Sequence, residues 1–196
     1  QAGIDFRHLE DSDYDSIMGE STGAGVIFGA TGGVMEAALR TAYEIVTGRE
    51  VPFDNLNILP VRGTEGIKSA TIKIEGCVEA WKFLEGAELK VAVAHGLKNA
   101  RIIMDQIAAG ESPYHFVEIM ACPGGCIGGG GQPIPTNEEI RKKRIAAIYE
   151  EDEGMDKRKS HENEEVMQMY TDFLGEPNGH KAHELLHTHY RKRNRY

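Results

Sequence analysis

The sequence predicts an α/β fold of mixed α+β character: a fragment of a parallel-sheet βαβ core with a C-terminal helical appendage. Three observations carry this. Residues 89–95 form a run rich in Val and Ala that ends at His95-Gly96. Residues 97–109 then place Leu97, Ala100, Met104 and Ile107 at helical spacings of three and four, and residues 114–121 return to a strand pattern. A strand, a helix and a strand within about 30 residues make a parallel pair joined by a right-handed crossover.

Taken from the N-terminus, Val26, Ile27 and Phe28 read as a short buried strand leading into the Gly-rich turn Gly29-Ala-Thr-Gly32-Gly33. A helix follows from Val34 and stops at Gly48, a residue suited to the left-handed position just past a helix end. Within it Glu36, Arg40 and Glu44 lie four apart and form a polar stripe. Val34, Met35, Ala38, Leu39, Ala42, Ile45 and Val46 are assigned to the buried side. Residues 56–61 and 67–74 are the best strand segments before the βαβ unit. Cys77 sits in a turn after Gly76, ahead of a helix-like segment at 78–84.

After Pro135 the composition changes. Thr136-Asn-Glu-Glu139 is a capping box opening a charged helix to about Glu150, which Glu150-Glu-Asp-Glu153-Gly154 then ends. A second helix is expected over about 163–174, and residues 180–196 are rich in His and basic residues, Arg191-Lys-Arg-Asn-Arg195 reading as a solvated tail. The segment 137–196 has too few apolar residues for a core of its own and should drape over a larger body. The expected division is therefore 1–135 and 136–196.

The chain has 196 residues, enough for one ordinary domain and an appendage, with 40% apolar and 27% charged residues. Its 22 Lys+Arg against 31 Asp+Glu give a net charge of −9, which argues against a nucleic-acid or anionic-membrane surface. No apolar run approaches the roughly 18 residues of a spanning helix, so no membrane insertion is expected. The opening Gln1-Ala2-Gly3-Ile4-Asp5 has neither an initiator Met nor a signal-peptide pattern, and reads as a start in mid-protein. Three cysteines, Cys77, Cys122 and Cys126, are an odd count without a disulfide framework. A reducing, cytoplasmic location follows, and the close pair becomes a candidate metal site.

That pair lies in Glu118-Ile-Met120-Ala-Cys122-Pro-Gly-Gly-Cys126-Ile-Gly128-Gly-Gly-Gly131-Gln132-Pro133, just past a predicted parallel strand, where ligands sit in open α/β sheets. Pro-Gly-Gly lets the chain turn between the sulfurs, and four glycines let backbone N–H groups approach a bulky anion. Thiolates with close amide donors hold iron–sulfur clusters and tune their potentials. Structural zinc sites favour shorter Cys spacings, and a radical-type cluster loop would need a third Cys at position 129, which is Gly. A Gly-rich loop with two free thiols is the bland alternative. A cubane normally takes four thiolates, and Cys77 has the setting of a small core residue, so this chain cannot complete a cubane alone.

The cysteine segment resembles the third cysteine motif of the catalytic domain of [FeFe]-hydrogenases. Gly25-Val-Ile-Phe-Gly-Ala-Thr-Gly-Gly-Val-Met-Glu-Ala-Ala-Leu-Arg40 is similar to that family's phenylalanine–glycine loop. Arg158-Lys-Ser-His-Glu-Asn163 and Leu185-Leu-His-Thr-His-Tyr190 resemble the small-subunit region that many members carry fused to the C-terminus. The resemblance implies reversible oxidation of dihydrogen to protons and electrons at an H-cluster, a [4Fe–4S] cluster linked to a two-iron subcluster with CO, cyanide and a bridging dithiolate. It implies that Cys122 ligates the cubane, and that Cys126 ligates it and bridges to the two-iron unit. Met120 would pack beside that unit, and Phe28 and Gly29 would line its diatomic ligands. The family's first two cysteine motifs lie upstream, so the implied partners are a missing N-terminal half and a ferredoxin or NAD(P)-linked electron-transfer subunit. An alternative is a non-catalytic iron–sulfur relative serving in cluster assembly or electron transfer.

Two further patterns compete. His183-Glu184-Leu-Leu-His187 matches the H-E-x-x-H pattern of zinc peptidases but is unspecific alone. A packing role for both histidines is more economical, with Leu185 and Leu186 finding apolar cover. Gly29-Ala-Thr-Gly32-Gly33 fits neither a dinucleotide fingerprint nor a P-loop. His95, His115 and His161 are isolated, and read as core or hydrogen-bonding residues.

Overall fold

The computed structural model describes residues 3–14 and 19–192, which fall into two compact units: 21–163, and 3–14 with 19–20 and 164–192. Gln1-Ala2 and the end of the basic tail after Lys192 lie outside the described residues.

In the larger unit, β1 (Ile67–Lys73), β2 (Glu88–His95) and β3 (Phe116–Met120) form a sheet in the order β1-β2-β3. β1 runs antiparallel to β2, and β2 runs parallel to β3. The crossover is a helix, Leu97–Ala108, as the spacing predicts. The alternation of strand side chains splits the core in two. Ile72, Val91 and Val93 face Met35 and Leu39 of the helix Gly33–Thr47, with Val51, Ile58 and Val61 completing the cluster. Ala92 and Ala94 face Ile103 of the crossover helix on the other side. Each such buried Val, Ile, Leu or Met contributes about 1.5–3 kcal/mol relative to exposure.

Several expectations are corrected. Residues 26–28 are no strand: the chain forms α1 (Gly23–Val26) and a 3-10 turn, Ile27–Gly29. Thr22 Oγ1 caps α1 by accepting from Gly25 N at 3.3 Å. A Cβ on Gly23 would stand 2.0 Å from Asp152 Oδ1, so α1 lies against its neighbour at a distance only glycine allows. Residues 56–61 form two 3-10 turns, Asp54–Leu56 and Leu59–Val61, because Asn55 and Leu56 adopt positive φ (51° and 58°) and Pro60 lacks a ladder donor. Their Leu56, Ile58 and Val61 side chains still enter the core. On the crossover helix, here α3, Ala100 and Ile103 are buried, whereas Leu97, Met104 and Ile107 are exposed. The turn at Gly96 (φ 77°) sets the phase that turns Ala100 and Ile103 onto the small side chains of β2.

The largest correction concerns the helix Gly33–Thr47, α2. It ends at Gly48 in the left-handed conformation as expected, but its polar stripe is not solvated. Glu36 and Arg40 are both 0% exposed, while Ala42 and Ile45 face outward. Arg40 pairs with Glu36 at 2.7 Å and with Asp152 at 2.8 Å; Arg62 reaches Glu36 at 2.6 Å, and Arg158 reaches Asp152 at 2.7 Å. Asp152 is delivered by α4 (Glu138–Gly154), whose Ile145 and Tyr149 pack on Ala24, Ile27 and Ala30. The cap of α4 is Asn137, accepting from Ile140 N at 2.9 Å, one residue later than predicted. The helix runs past Glu150 to Gly154, because its last turn carries the carboxylate that Arg40 and Arg158 require.

In the smaller unit α5 (Glu164–Met169) continues into a π-helical turn, Tyr170–Leu174, close to the predicted 163–174, and α6 spans His180–Leu186. Among the described residues of this unit, Leu174 and Ala182 are buried. Glu20 Oε2 accepts from Glu164 N at 2.9 Å, and Glu165 Oε2 accepts from Glu20 N at 2.8 Å.

Burial alone would raise the Asp152 carboxyl, but hydrogen bonds from Arg40 and Arg158 outweigh it and hold it below the ordinary carboxylate range. Its contribution is thus present at neutral pH and lost as pH falls through that lowered value. Asp152→Ala should cost about 3–5 kcal/mol by stranding the buried Arg40. In urea unfolding measured across acid pH, Asp152→Asn should flatten the acid limb of the wild-type stability curve.

Candidate functional site

β2 and β3 end side by side at His95 and Met120, paired in register at the carboxyl end of the parallel pair. Beyond Met120 the chain turns through Cys122-Pro-Gly-Gly-Cys126 into a 3-10 turn, Cys126–Gly128. Gly124 and Gly125 both adopt positive φ, 82° and 95°, which is why this turn needs two glycines. At Gly125 a Cβ would stand 2.7 Å from Thr31 N, 2.9 Å from Gly29 O and 2.9 Å from Met120 Sδ. The glycine turn after Phe28, the end of β3 and the cysteine loop therefore meet at one point.

Directed bonds fix that meeting. Thr31 N donates to Gly124 O at 3.0 Å. Gly124 N donates to His95 Nδ1 at 3.1 Å, and His95 Nε2 lies 3.1 Å from the Thr64 carbonyl. An N–H facing Nδ1 and a carbonyl facing Nε2 select the neutral tautomer protonated on Nε2. His95 is thus the hydrogen-bonding residue the sequence suggests, and its partner is the loop between the two cysteines. Glu118, two residues before Met120 on the same face, accepts from Gly32 N and Met35 N, both at 2.7 Å. It caps the first turn of α2 from another element, and its charge complements the positive end of that helix. Lys68 aligns with Glu118 across Val93. Its Nζ donates to Gly63 O at 2.8 Å and Thr31 O at 3.2 Å. Burial outweighs the attraction of Glu118 and Glu65 and pushes the Lys68 ammonium down to about 8.

The back of the loop is closed by α4. Ile127 is buried with Ala30 and Ile145. Arg144 donates to Ile127 O and Pro133 O, both at 2.7 Å. A Cβ on Gly29 would stand 3.0 Å from Ile148 Cδ1, and one on Gly128 would stand 3.0 Å from Arg141 Cδ.

All three cysteines are free thiols. Cys126 is exposed and Cys122 half-buried, and a Cβ on Gly129 would approach the Cys122 Sγ to a tight 3.3 Å. Cys77 is buried elsewhere, its N–H donating to Glu85 Oε2 at 2.8 Å, and burial pushes its thiol up. The structure therefore brings Met120 and Gly29 to Gly125 of the loop that carries Cys122 and Cys126, with Phe28, 45% exposed, next to Gly29 in the chain, and leaves Cys77 out. Two thiols on a glycine backbone fit a partly completed iron–sulfur ligand set, half of the four that a cubane takes.

The H-E-x-x-H segment lies on α6. The rings of His183 and His187 are 4.2 Å apart, and that of His189 is 5.9 Å from His183. Leu185 and Leu186 stay exposed, against the apolar cover expected for them, since the buried contact of α6 is Ala182. Among the described residues no group of three or more His, Cys, Asp or Glu is arranged to hold a metal ion. No helix among them is long and apolar enough to cross a membrane.

Comparison with known proteins defines the class. Residues 1–130 match the family described as iron only hydrogenase large subunit, C-terminal domain, and residues 138–193 match iron hydrogenase small subunit. The chain belongs to the iron-only hydrogenase family. It is 50% identical, over 98% of its length and 31% of the relative's, to an NADP-reducing hydrogenase subunit of Solidesulfovibrio fructosivorans. It is 54% identical, over 76% of its length and 33% of the relative's, to a periplasmic hydrogenase large subunit of Nitratidesulfovibrio vulgaris. It is 30% identical, over 97% of its length and 38% of the relative's, to a cytosolic Fe-S cluster assembly factor of Xenopus tropicalis. A variant of the [FeFe]-hydrogenase HydA1 from Chlamydomonas reinhardtii superposes with a TM-score of 0.69 at 47% identity, covering 96% of this chain and 51% of that one. The chain thus spans about a third of the curated relatives it matches.

Glu118 and Arg144 escape sequence reading as site residues. For Glu118 a signal existed: a carboxylate at an inward position of a buried strand demands donors. Glu118→Gln leaves one acceptor for two N–H groups and turns its own NH2 toward the other. It should cost about 1–3 kcal/mol in denaturant unfolding and speed amide exchange at Gly32 or Met35.

Proposed function

We propose that this chain forms the C-terminal part of an [FeFe]-hydrogenase that interconverts dihydrogen with protons and electrons. The observation that carries the reading is the convergence at Gly125, where the cysteine loop, Met120 and the turn after Phe28 are held together by backbone contacts. Cys122 and Cys126 would ligate a [4Fe–4S] cluster, and Cys126 would bridge to a two-iron subcluster carrying CO, cyanide and a dithiolate. When bound, that H-cluster supplies the Lewis-acidic iron and the electron store that heterolysis of dihydrogen needs.

The chain's own residues bind, orient and exclude water. His95 holds the Gly124 amide, so the loop between the two thiols keeps one conformation. Glu118 and Lys68 fix the Gly29–Gly33 turn from two sides, through its amides and its Thr31 carbonyl. Phe28 and Met120 offer apolar surface without a titratable proton, leaving proton delivery to the upstream half of the protein. Partners are that half, with the remaining cysteine motifs, and a ferredoxin or NAD(P)-linked subunit; the likeness to an NADP-reducing hydrogenase subunit supports the latter. We assign residues 1–135 to the catalytic domain, 136–196 to the small-subunit region, and the protein to the cytoplasm on its cysteine content. A second reading, a non-catalytic cluster-assembly protein, is favoured by the 30% identity to the assembly factor, against 50% for the hydrogenase subunit.

Infrared bands of metal-bound CO and cyanide in the full-length, matured protein separate the two readings. In that protein Cys126→Ala should abolish turnover and remove these bands, whereas Cys77→Ala should lower only stability. The 196-residue chain alone should evolve no hydrogen from reduced dye, since its two loop thiols are half a cubane's ligands. Evolution by the isolated chain would refute this assignment.

A further inference from the structure

Residues 128–131 are four consecutive glycines directly after Cys126-Ile127. Such a run has no side chains to pin it and a large conformational entropy to lose on ordering. Its own bonds are three: Gly128 N to Gly125 O at 3.0 Å, Gly129 N to Cys126 O at 3.0 Å, and Gln132 N to Gly129 O at 3.4 Å. The two ends of the run are tied by one side chain from another element. Arg144 Nη1 donates to Ile127 O and Nη2 to Pro133 O, each at 2.7 Å, with Thr136 Oγ1 at 3.5 Å from Nη1. A planar guanidinium can span two carbonyls in this way; a lysine ammonium cannot reproduce the fork. All three partners are neutral oxygens, and among the described residues no carboxylate pairs with Arg144. A full positive charge therefore stands at the carbonyl of the residue next to Cys126.

We propose that Arg144 is a positioning residue for the cluster loop, clamping both ends of the glycine run and raising the reduction potential of the cluster that Cys122 and Cys126 hold. The electrostatic half rests on the iron–sulfur reading of that loop; the clamp does not. Reduction adds negative charge at the cluster, and a nearby half-buried cation favours the reduced form. Because Arg144 belongs to the segment matching the small subunit, that region supplies part of the cluster site rather than a cover for it.

The test uses the full-length protein with Arg144→Gln and Arg144→Lys. In the metal-free form, Arg144→Gln should speed hydrogen–deuterium exchange at Gly128, Gly129 and Gln132 about tenfold, the effect of losing a charge-assisted bond, with the sheet amides unchanged. Arg144→Lys should leave this loop fast as well. With the cubane reconstituted, an electron-paramagnetic-resonance redox titration should place the Arg144→Gln midpoint at more negative potential, and Arg144→Lys, which keeps the charge, near wild type. Unchanged exchange in both variants overturns the clamp, and a fast loop with an unmoved potential overturns the electrostatic role. If wild type takes up no iron, the iron–sulfur reading fails and the electrostatic role with it, while the exchange data still judge the clamp. Should Arg144→Gln fail to fold, Arg144→Lys carries the exchange test.

Discussion

A guanidinium with no exposure to water cannot be left alone, and Arg40 is in that position. Its neutralisation by Glu36 on its own helix and by Asp152 from α4 links two elements 112 residues apart in the chain. Such a network need not raise net stability above an apolar core of equal volume, because desolvation offsets much of the attraction. It does specify which face of α4 meets α2, since any other rotation would strand Arg40. Arg62, stacked 3.7 Å over the Tyr149 ring while bound to Glu36, tightens the same register.

The consequence reaches the cysteine loop along the helix. Asp152, Ile148 and Arg144 are spaced by four, so they share one face, and about 12 Å of helix separates the first from the last. Fixing Asp152 on Arg40 therefore delivers Ile148 against Gly29 and Arg144 onto the carbonyls flanking the glycine run. From the sheet side, His95 and Glu118 project from the ends of parallel strands and bind the amides of the two glycine turns. A loop with so little intrinsic preference for one shape is thus held on both sides by residues on regular elements. On the proposed reading, this architecture would keep a cluster held by the loop at a fixed separation from its neighbours.

Much of this was legible in the chain. The βαβ unit follows from a Val/Ala-rich strand, a helix-period segment and a second strand, and α2 follows from its periodicity and Gly48. The cysteine loop was legible as a candidate site because Cys-Pro-Gly-Gly-Cys followed by four glycines combines two close thiols with backbone access. Reading fails where local pattern and tertiary demand diverge. Residues 26–28 are apolar enough for a strand, yet Thr22 caps a helical turn there and Gly23 admits α4 at close range. Residues 56–61 carry strand-like side chains on a backbone that Asn55 and Pro60 turn aside.

By itself, then, the sequence determined the elements whose pattern is local: the parallel crossover, the helix after the glycine turn, and the paired thiols. Only the tertiary structure decided which polar residues are interior. Glu36, Arg40 and Arg144 look in the chain like solvated charges, because a charge pattern records spacing and not the partner that crosses over from a distant segment. That partner sets whether a carboxylate caps a helix, closes a buried ion pair or meets water, and it exists only once α4 and the sheet have closed around the loop.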